Sequence, residues 1–256
     1  MSLKITVITV CYNSAATIRD TLTAVSRQGY QNFEHLIIDG ASTDGTVDIV
    51  RRWAGHPVVL ISEPDNGIYD AMNKGLARAS GDVIGFLNAD DFYADSSVLE
   101  KIAHAFRDNQ AEACFGDLVY VSKDNRRVVR YWKSRAFVKG DFANGWCPAH
   151  PTFYVRQSAL RRCGVFDQSF KLASDVEFMM RYLEHGGVRA VYIPEVLVRM
   201  RVGGATNQSW RNVLQQNKEV FVALKKNRVP FTEIWFITRK LQNRLWQYIT
   251  ARLGRA

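Results

Sequence analysis

The run Gly81-Asp82-Val83-Ile84-Gly85-Phe86-Leu87-Asn88-Ala89-Asp90-Asp91 sets an apolar core between a glycine and an acidic end. Such a run predicts a short buried strand of a parallel sheet. Asn88, Asp90 and Asp91 then stand beyond its carboxyl end, in the crevice where open α/β sheets bind ligands. Two neighbouring carboxylates repel each other unless a positive group lies beside them. A hard divalent cation, Mg2+ or Mn2+, would take oxygen ligands there and bridge to the oxygens of a diphosphate. Alternatively, Asp90 and Asp91 begin a turn or cap the next helix, and the motif alone leaves both readings open.

Upstream, the pattern alternates. Lys4 to Val10 is a β-branched run ending in Cys11-Tyr12-Asn13-Ser14, and Asn13 or Ser14 is placed to cap a helix over Thr17 to Gln28. Phe33 to Ile38 predicts a second strand ending in Asp39-Gly40, after which Ser42-Thr43-Asp44-Gly45-Thr46 starts a helix that runs through Trp53. Val58 to Ile61 predicts a third strand, and Ile68 to Ala79 a helix that leads into the acidic strand. This spacing implies right-handed βαβ units and an α/β fold with a mainly parallel central sheet flanked by helices. Tyr12, Asp39, Glu63 and the Asn88 to Asp91 cluster then meet at one edge. Neither GxGxxG nor GxxxxGK[ST] occurs, so no dinucleotide fold or P-loop is indicated. Asp39 either contacts a nucleobase or ribose or caps the turn after it.

Length and composition agree with such a domain. The chain has 256 residues, 47% hydrophobic and 23% charged, enough for one full core. No apolar run approaches a bilayer span, so a cytoplasmic protein is expected. Cys11, Cys114, Cys147 and Cys163 show no metal spacing and are read as reduced thiols. The net charge of +9 is concentrated at the end, where residues 207–256 hold ten Lys or Arg against two Glu.

Together these motifs resemble the family 2 glycosyltransferases with the GT-A fold. The resemblance rests on Thr9 to Asn13, Asp39 to Thr46, Asn73-Lys74-Gly75 and Leu87 to Asp91, and runs less tightly to about Gly204. Ser62 to Gly75 is similar to bacterial enzymes that build surface polysaccharides. The resemblance implies a nucleotide-sugar donor, with uracil the expected base by family tendency, and a saccharide acceptor. It places Asp39 on the nucleobase with Thr9 and Tyr12 in the same pocket. It matches Asn88-Ala89-Asp90 to the family's DxD motif, with Asp90 as main metal ligand, Asp91 beside it, and Asn88 where an aspartate is more usual. Asp175 matches the family's general base, which takes the proton of the acceptor hydroxyl in an inverting single displacement. From position alone Asp175 opens a helix and also suits a cap.

Other stretches carry weaker readings. Ala113 to Tyr120 predicts a strand, and Val119 to Tyr131 a hairpin turning at Lys123-Asp124-Asn125. Asp141 to His150 is rich in turn formers and aromatics, an acceptor wall in which Trp146 stacks a sugar and His150 is a structural histidine. Arg199, Arg201 and the glycines after them suit either a loop that closes on the donor diphosphate or a strand end and linker.

The chain divides into a transferase domain over 1–206 and a basic helical tail over 207–256. In the tail, Ile234, Ile237, Leu241, Leu245, Tyr248 and Ile249 share one face, with Trp235 and Trp246 at its border. That face is expected on an anionic membrane surface, beside a lipid-linked acceptor, as a peripheral attachment. The other reading docks the helix on its own domain or on a second subunit, making a homo-oligomer. Two rival functions are a sugar-phosphate nucleotidyltransferase and a basic nucleic-acid-binding protein. The second fits poorly, because the positive charge is not spread over the α/β region.

Overall fold

The computed structural model describes residues 3–107, 110–203 and 210–252. Its first half is the predicted alternation. Strands β1 (Ile5–Cys11), β2 (Phe33–Asp39), β3 (Val59–Ser62) and β4 (Val83–Phe86) alternate with helices α1 (Ile18–Ser26), α2 (Thr46–Arg51) and α3 (Ile68–Arg78). There follow β5 (Phe92–Tyr93), α4 (Val98–Ala105) and the hairpin of β6 (Ala113–Val121) and β7 (Val128–Trp132). Next come β8 (Tyr154–Arg156), α5 (Gln157–Cys163), α6 (Ser174–Met180) and β9 (Ala190–Arg201). Helices α7 (Trp210–Lys226) and α8 (Glu233–Arg252) end the described chain.

The described strands form one sheet in the order β3-β2-β1-β4-β8-β6-β9-β5, with β7 beside β6. It is parallel from β3 to β4 and mixed beyond, where β8 joins both neighbours antiparallel. Register sets the site. Cys11 lies opposite Asp39, and Asp39 opposite Ser62, so three strand ends finish level. The Leu87 amide still bonds the Ile8 carbonyl, and the polar cluster begins at the next residue.

Side chains explain the local turns. Asn13 and Ser14 do not cap α1, which starts at Ile18 with no side-chain cap. Instead the loop after β1 is laced to the loop after β2. Asn13 Oδ1 accepts from the Thr43 amide, Ser42 Oγ from the Asn13 amide, and Asp44 from the Ala15 amide. Local capping was the expectation, but two adjacent parallel strand ends offered closer donors. In α3, Asn73 bonds both the amide and the carbonyl of Phe166, and a Cβ on Gly75 would meet Ile8 at 2.6 Å. The Asn-Lys-Gly motif thus presses α3 onto β1 and holds the segment leading to α6.

The end of the chain is built into the core. Val220, Ala223, Leu224 and Phe236 are buried in the same apolar cluster as Ile8 and Phe178. Lys226 of α7 pairs with Asp167 and with the buried Glu177. The expected domain boundary at residue 206 lies outside the described residues.

Candidate active site

A cavity of about 1130 Å³ opens beyond the strand ends. Tyr12, Asp65, Asn88, Asp90, Trp146 and Asp175 are among the residues that line it. Its size suits a ligand larger than a single sugar.

Asp90 faces the cavity and Asp91 is fully buried behind it. Burial, reinforced by the charge of Asp90, holds the Asp91 carboxyl well above the usual carboxylate range. Burial also raises Asp90, with the Arg201 charge opposing it. Two buried oxygens here, Asn88 Oδ1 and Asp91 Oδ1, have no hydrogen-bond partner. Unsatisfied buried oxygens beside a raised carboxylate are chemically matched to a hard divalent cation. Among the described residues no cluster of three or more His, Cys, Asp or Glu is gathered. The protein would therefore supply few ligands, the arrangement in which Mg2+ takes the rest from water and substrate phosphates.

Asp175 also lines the cavity and sits in the first turn of α6, whose N-cap position has no side-chain hydrogen bond. The turn before α6 is held from α7, where one oxygen of Glu219 accepts the amides of Lys171, Leu172 and Ala173 at 3.1, 2.7 and 3.0 Å. Asp175 is left facing the cavity, its Oδ1 accepting the Tyr69 hydroxyl at 3.0 Å. Burial, then the Asp175 charge, keeps the Tyr69 phenol well above its ordinary value, so it remains a donor. Glu177 is fully buried and bonded to Arg181, Lys226 and Asn227.

Helix α8 forms the remaining wall. Phe236, Lys240, Asn243, Arg244, Trp246 and Gln247 line the cavity, and all but Trp246 are spaced as one helical face. The helix seats closely on the turn Asp141–Asn144. Gly145, at φ +68°, fits closely there, since a Cβ would meet the Lys240 amide and the Phe236 carbonyl at 3.1 Å.

The sequence profile described as Glycosyl transferase family 2 matches residues 6–170. The chain belongs to glycosyltransferase family 2. A PGL/p-HBAD biosynthesis glycosyltransferase of Mycobacterium bovis is 26% identical over 200 residues, 76% of each chain. The crystal structure of S. aureus TarS 1-349 in complex with UDP-GlcNAc superposes with TM-score 0.65 at 18% identity, over 98% of this chain and 73% of that one. A longer TarS chain is covered over 43% of its length. The mannosyltransferase PcManGT from Pyrobaculum calidifontis, in complex with GDP-Man and Mn2+, gives TM-score 0.67 at 23% identity, over 99% of this chain and 74% of that one. At these identities the two structures show the GT-A fold. With the family known, neither the nucleotidyltransferase nor the nucleic-acid reading is carried forward.

Within this glycosyltransferase, Tyr12, Asn88, Asp90, Trp146, His150 and Asp175 line one cavity. His150 packs against the Phe86 ring at a tilt and the Phe166 ring edge-on, and burial lowers its basicity. Thr9, Asp39, Asp91, Arg199 and Arg201 do not line it. Thr9 Oγ1 donates to the Leu87 carbonyl and bonds His35. Asp39 is fully buried, accepting the Ser42 amide and hydroxyl and the Ser62 hydroxyl, which is the turn-capping alternative. Arg199 is held by Asn125. Arg201 pairs with Asp20 at 2.5 Å, bonds the Lys123 and Asp90 carbonyls and covers the Phe92 ring. Both arginines belong to a strand end.

Tyr69, Glu219, Arg130 and the cavity face of α8 belong to the site without standing out in the sequence. Only the last had a visible signal, in the 236-240-243-247 spacing. The others are brought in by tertiary contacts across many residues.

Proposed function

We propose that this transferase moves a glycosyl unit from a uridine diphosphate sugar to a saccharide acceptor, by metal-dependent single displacement with inversion, in surface-polysaccharide synthesis. The observation that carries this is a carboxylate, Asp175, that lines the same cavity as Asn88 and Asp90 and accepts a hydrogen bond from Tyr69. The nucleoside lies toward Tyr12 and Asp65, with Asp39 holding the loop beneath it. The diphosphate lies over Asn88 and Asp90. A Mg2+ or Mn2+ held by Asp90, with Asp91 behind, would neutralise charge on the leaving diphosphate.

Asp175 accepts the proton of the acceptor hydroxyl as that oxygen bonds the anomeric carbon. The bond from that carbon to the diphosphate breaks, and the electron pair leaves with the phosphate oxygen. Tyr69 donates to Asp175 Oδ1 and orients the carboxylate, leaving its other oxygen for the proton. Trp146 offers a face to the acceptor sugar.

The donor base is supported by TarS, which binds UDP-GlcNAc, while PcManGT binds GDP-Man. The M. bovis relative is named for PGL/p-HBAD biosynthesis, which supports a cell-surface product. A lipid-linked acceptor at a membrane surface is supported by α8. One face of the helix lines the cavity, and the predicted stripe faces outward, with Ile234, Leu241 and Leu245 at 78, 63 and 62% exposure. Among the described residues no helix is long and apolar enough to cross a membrane.

The test is calorimetric binding of UDP and GDP, each with Mn2+ and with chelator, to wild type and Asp175→Asn, alongside turnover of the matching sugar nucleotides. Metal-dependent UDP binding by both proteins, with turnover only in wild type, is expected. Tighter GDP binding would overturn the uridine assignment. Near wild-type turnover by the variant would remove Asp175 as the base.

A further inference from the structure

Arg130, in β7, lines the cavity yet is only 6% exposed. Its guanidinium lies 3.7 Å from the centre of the Tyr120 ring and 5.5 Å from that of Trp132. Its Nε has no hydrogen-bond partner, and among the described residues no carboxylate stands within ion-pairing distance. A buried cation without a counter-charge is costly, and its neighbours add to the imbalance. Arg244 of α8 lines the same cavity and is close enough to disfavour the charge on Arg130. Lys240 lies one turn earlier on that face. The position is specific. Arg130 is paired in register with Tyr120, and Tyr120 with Met200, a cavity-lining residue next to the arginine that bonds the Asp90 carbonyl. Arg130 therefore lines the same cavity as Asn88 and Asp90, and among the described residues no carboxylate pairs with it.

We propose that Arg130, with Arg244, is a phosphate-binding subsite of the cavity. The guanidinium lies over Tyr120 and near Trp132, with Tyr248 bonded to it, which leaves its Nε unpartnered; a fork held in this way suits the oxygens of a phosphate. The arginines expected from the sequence to do this, Arg199 and Arg201, are engaged elsewhere. What carries the phosphate rests on the transferase reading: the donor diphosphate, or the phosphate of a lipid-linked acceptor.

The experiment is calorimetric titration of the full chain with inorganic pyrophosphate, UDP and farnesyl diphosphate, for wild type, Arg130→Gln, Arg130→Lys and Arg244→Gln. The thermal midpoint of each variant is recorded. Pyrophosphate affinity is expected to fall tenfold or more in Arg130→Gln and by less in Arg130→Lys, which keeps the charge and loses the fork. A matching loss for UDP alone identifies the donor, and one for farnesyl diphosphate alone the acceptor. If Arg130→Gln does not fold, Arg130→Lys and Arg244→Gln decide. Unchanged pyrophosphate affinity in every folded variant, or no binding of any of the three by wild type, overturns the subsite. If wild type binds neither UDP nor GDP but binds pyrophosphate through Arg130, the subsite stands and the sugar-nucleotide reading falls.

Discussion

His35 Nδ1 and His56 Nε2 stand 2.9 Å apart in stacked rings, and the groups at either end of the pair assign every proton between them. Trp53 Nε1 can only donate, so His56 Nδ1 accepts from it and His56 Nε2 carries the hydrogen. Thr9 Oγ1 donates to the Leu87 carbonyl, so it accepts from His35 Nε2, which leaves His35 Nδ1 to accept from His56. Both rings are neutral, and a second proton on either would set two donors against each other. The row ends on Leu87, one residue before the acidic cluster.

This predicts a pH dependence of stability. Burial, then the neighbouring His56, pushes His35 down to about 3, against about 6.5 when unfolded. Between those values the unfolded chain binds the extra proton, so stability is full above pH 6.5 and falls as pH drops, by up to about 1.4 kcal/mol per unit. The raised carboxyl of Asp91 acts in the opposite sense, since it favours the folded state at lower pH. The histidine effect is therefore read as a difference. Urea midpoints of wild type should fall more steeply from pH 7 to 5 than those of His35→Asn, and equal slopes would refute the neutral row.

Tyr69→Phe separates orientation from binding. It removes the donor to Asp175 and keeps the ring against Phe166. Turnover should fall about tenfold, well short of the roughly 10²- to 10⁴-fold expected of losing the base itself. UDP affinity should be unchanged. A wild-type turnover number in steady-state kinetics would show that the hydroxyl does not position the carboxylate.

Glu219→Ala should injure a site it does not touch. Three amides before α6 lose their shared acceptor, a cost of about 2 kcal/mol. Urea unfolding should register that loss, and turnover should drop while UDP affinity holds, because the turn carries Asp175 and not the donor end. Wild-type stability would show the turn to be held by other contacts.

The outward face of α8 can be altered without touching its seat. Leu241→Glu with Leu245→Glu should change stability by no more than about 0.5 kcal/mol, as exposed positions do. Co-sedimentation with phosphatidylglycerol vesicles should be lost. Vesicle binding equal to wild type would assign that face to a second copy of the chain or to solvent.

The alternation of strands and helices, the glycine and asparagine motifs and the acidic strand end were legible in the sequence because each depends on neighbours a few residues apart. Period-2 and period-3.6 patterns follow from backbone geometry, and βαβ handedness does the rest. The exposed stripe of α8 was also legible, though which face met the protein was not. Partners distant in sequence came only with the tertiary structure. Sheet register drew Asp39 onto Ser62 and set Arg130 beside Tyr120. Packing of α7 gave the turn before α6 to Glu219 and so left Asp175 open to the cavity. Whether a polar side chain caps, pairs or faces a ligand is a competition among all donors and acceptors within about 3 Å, and folding brings most of those competitors from elsewhere in the chain.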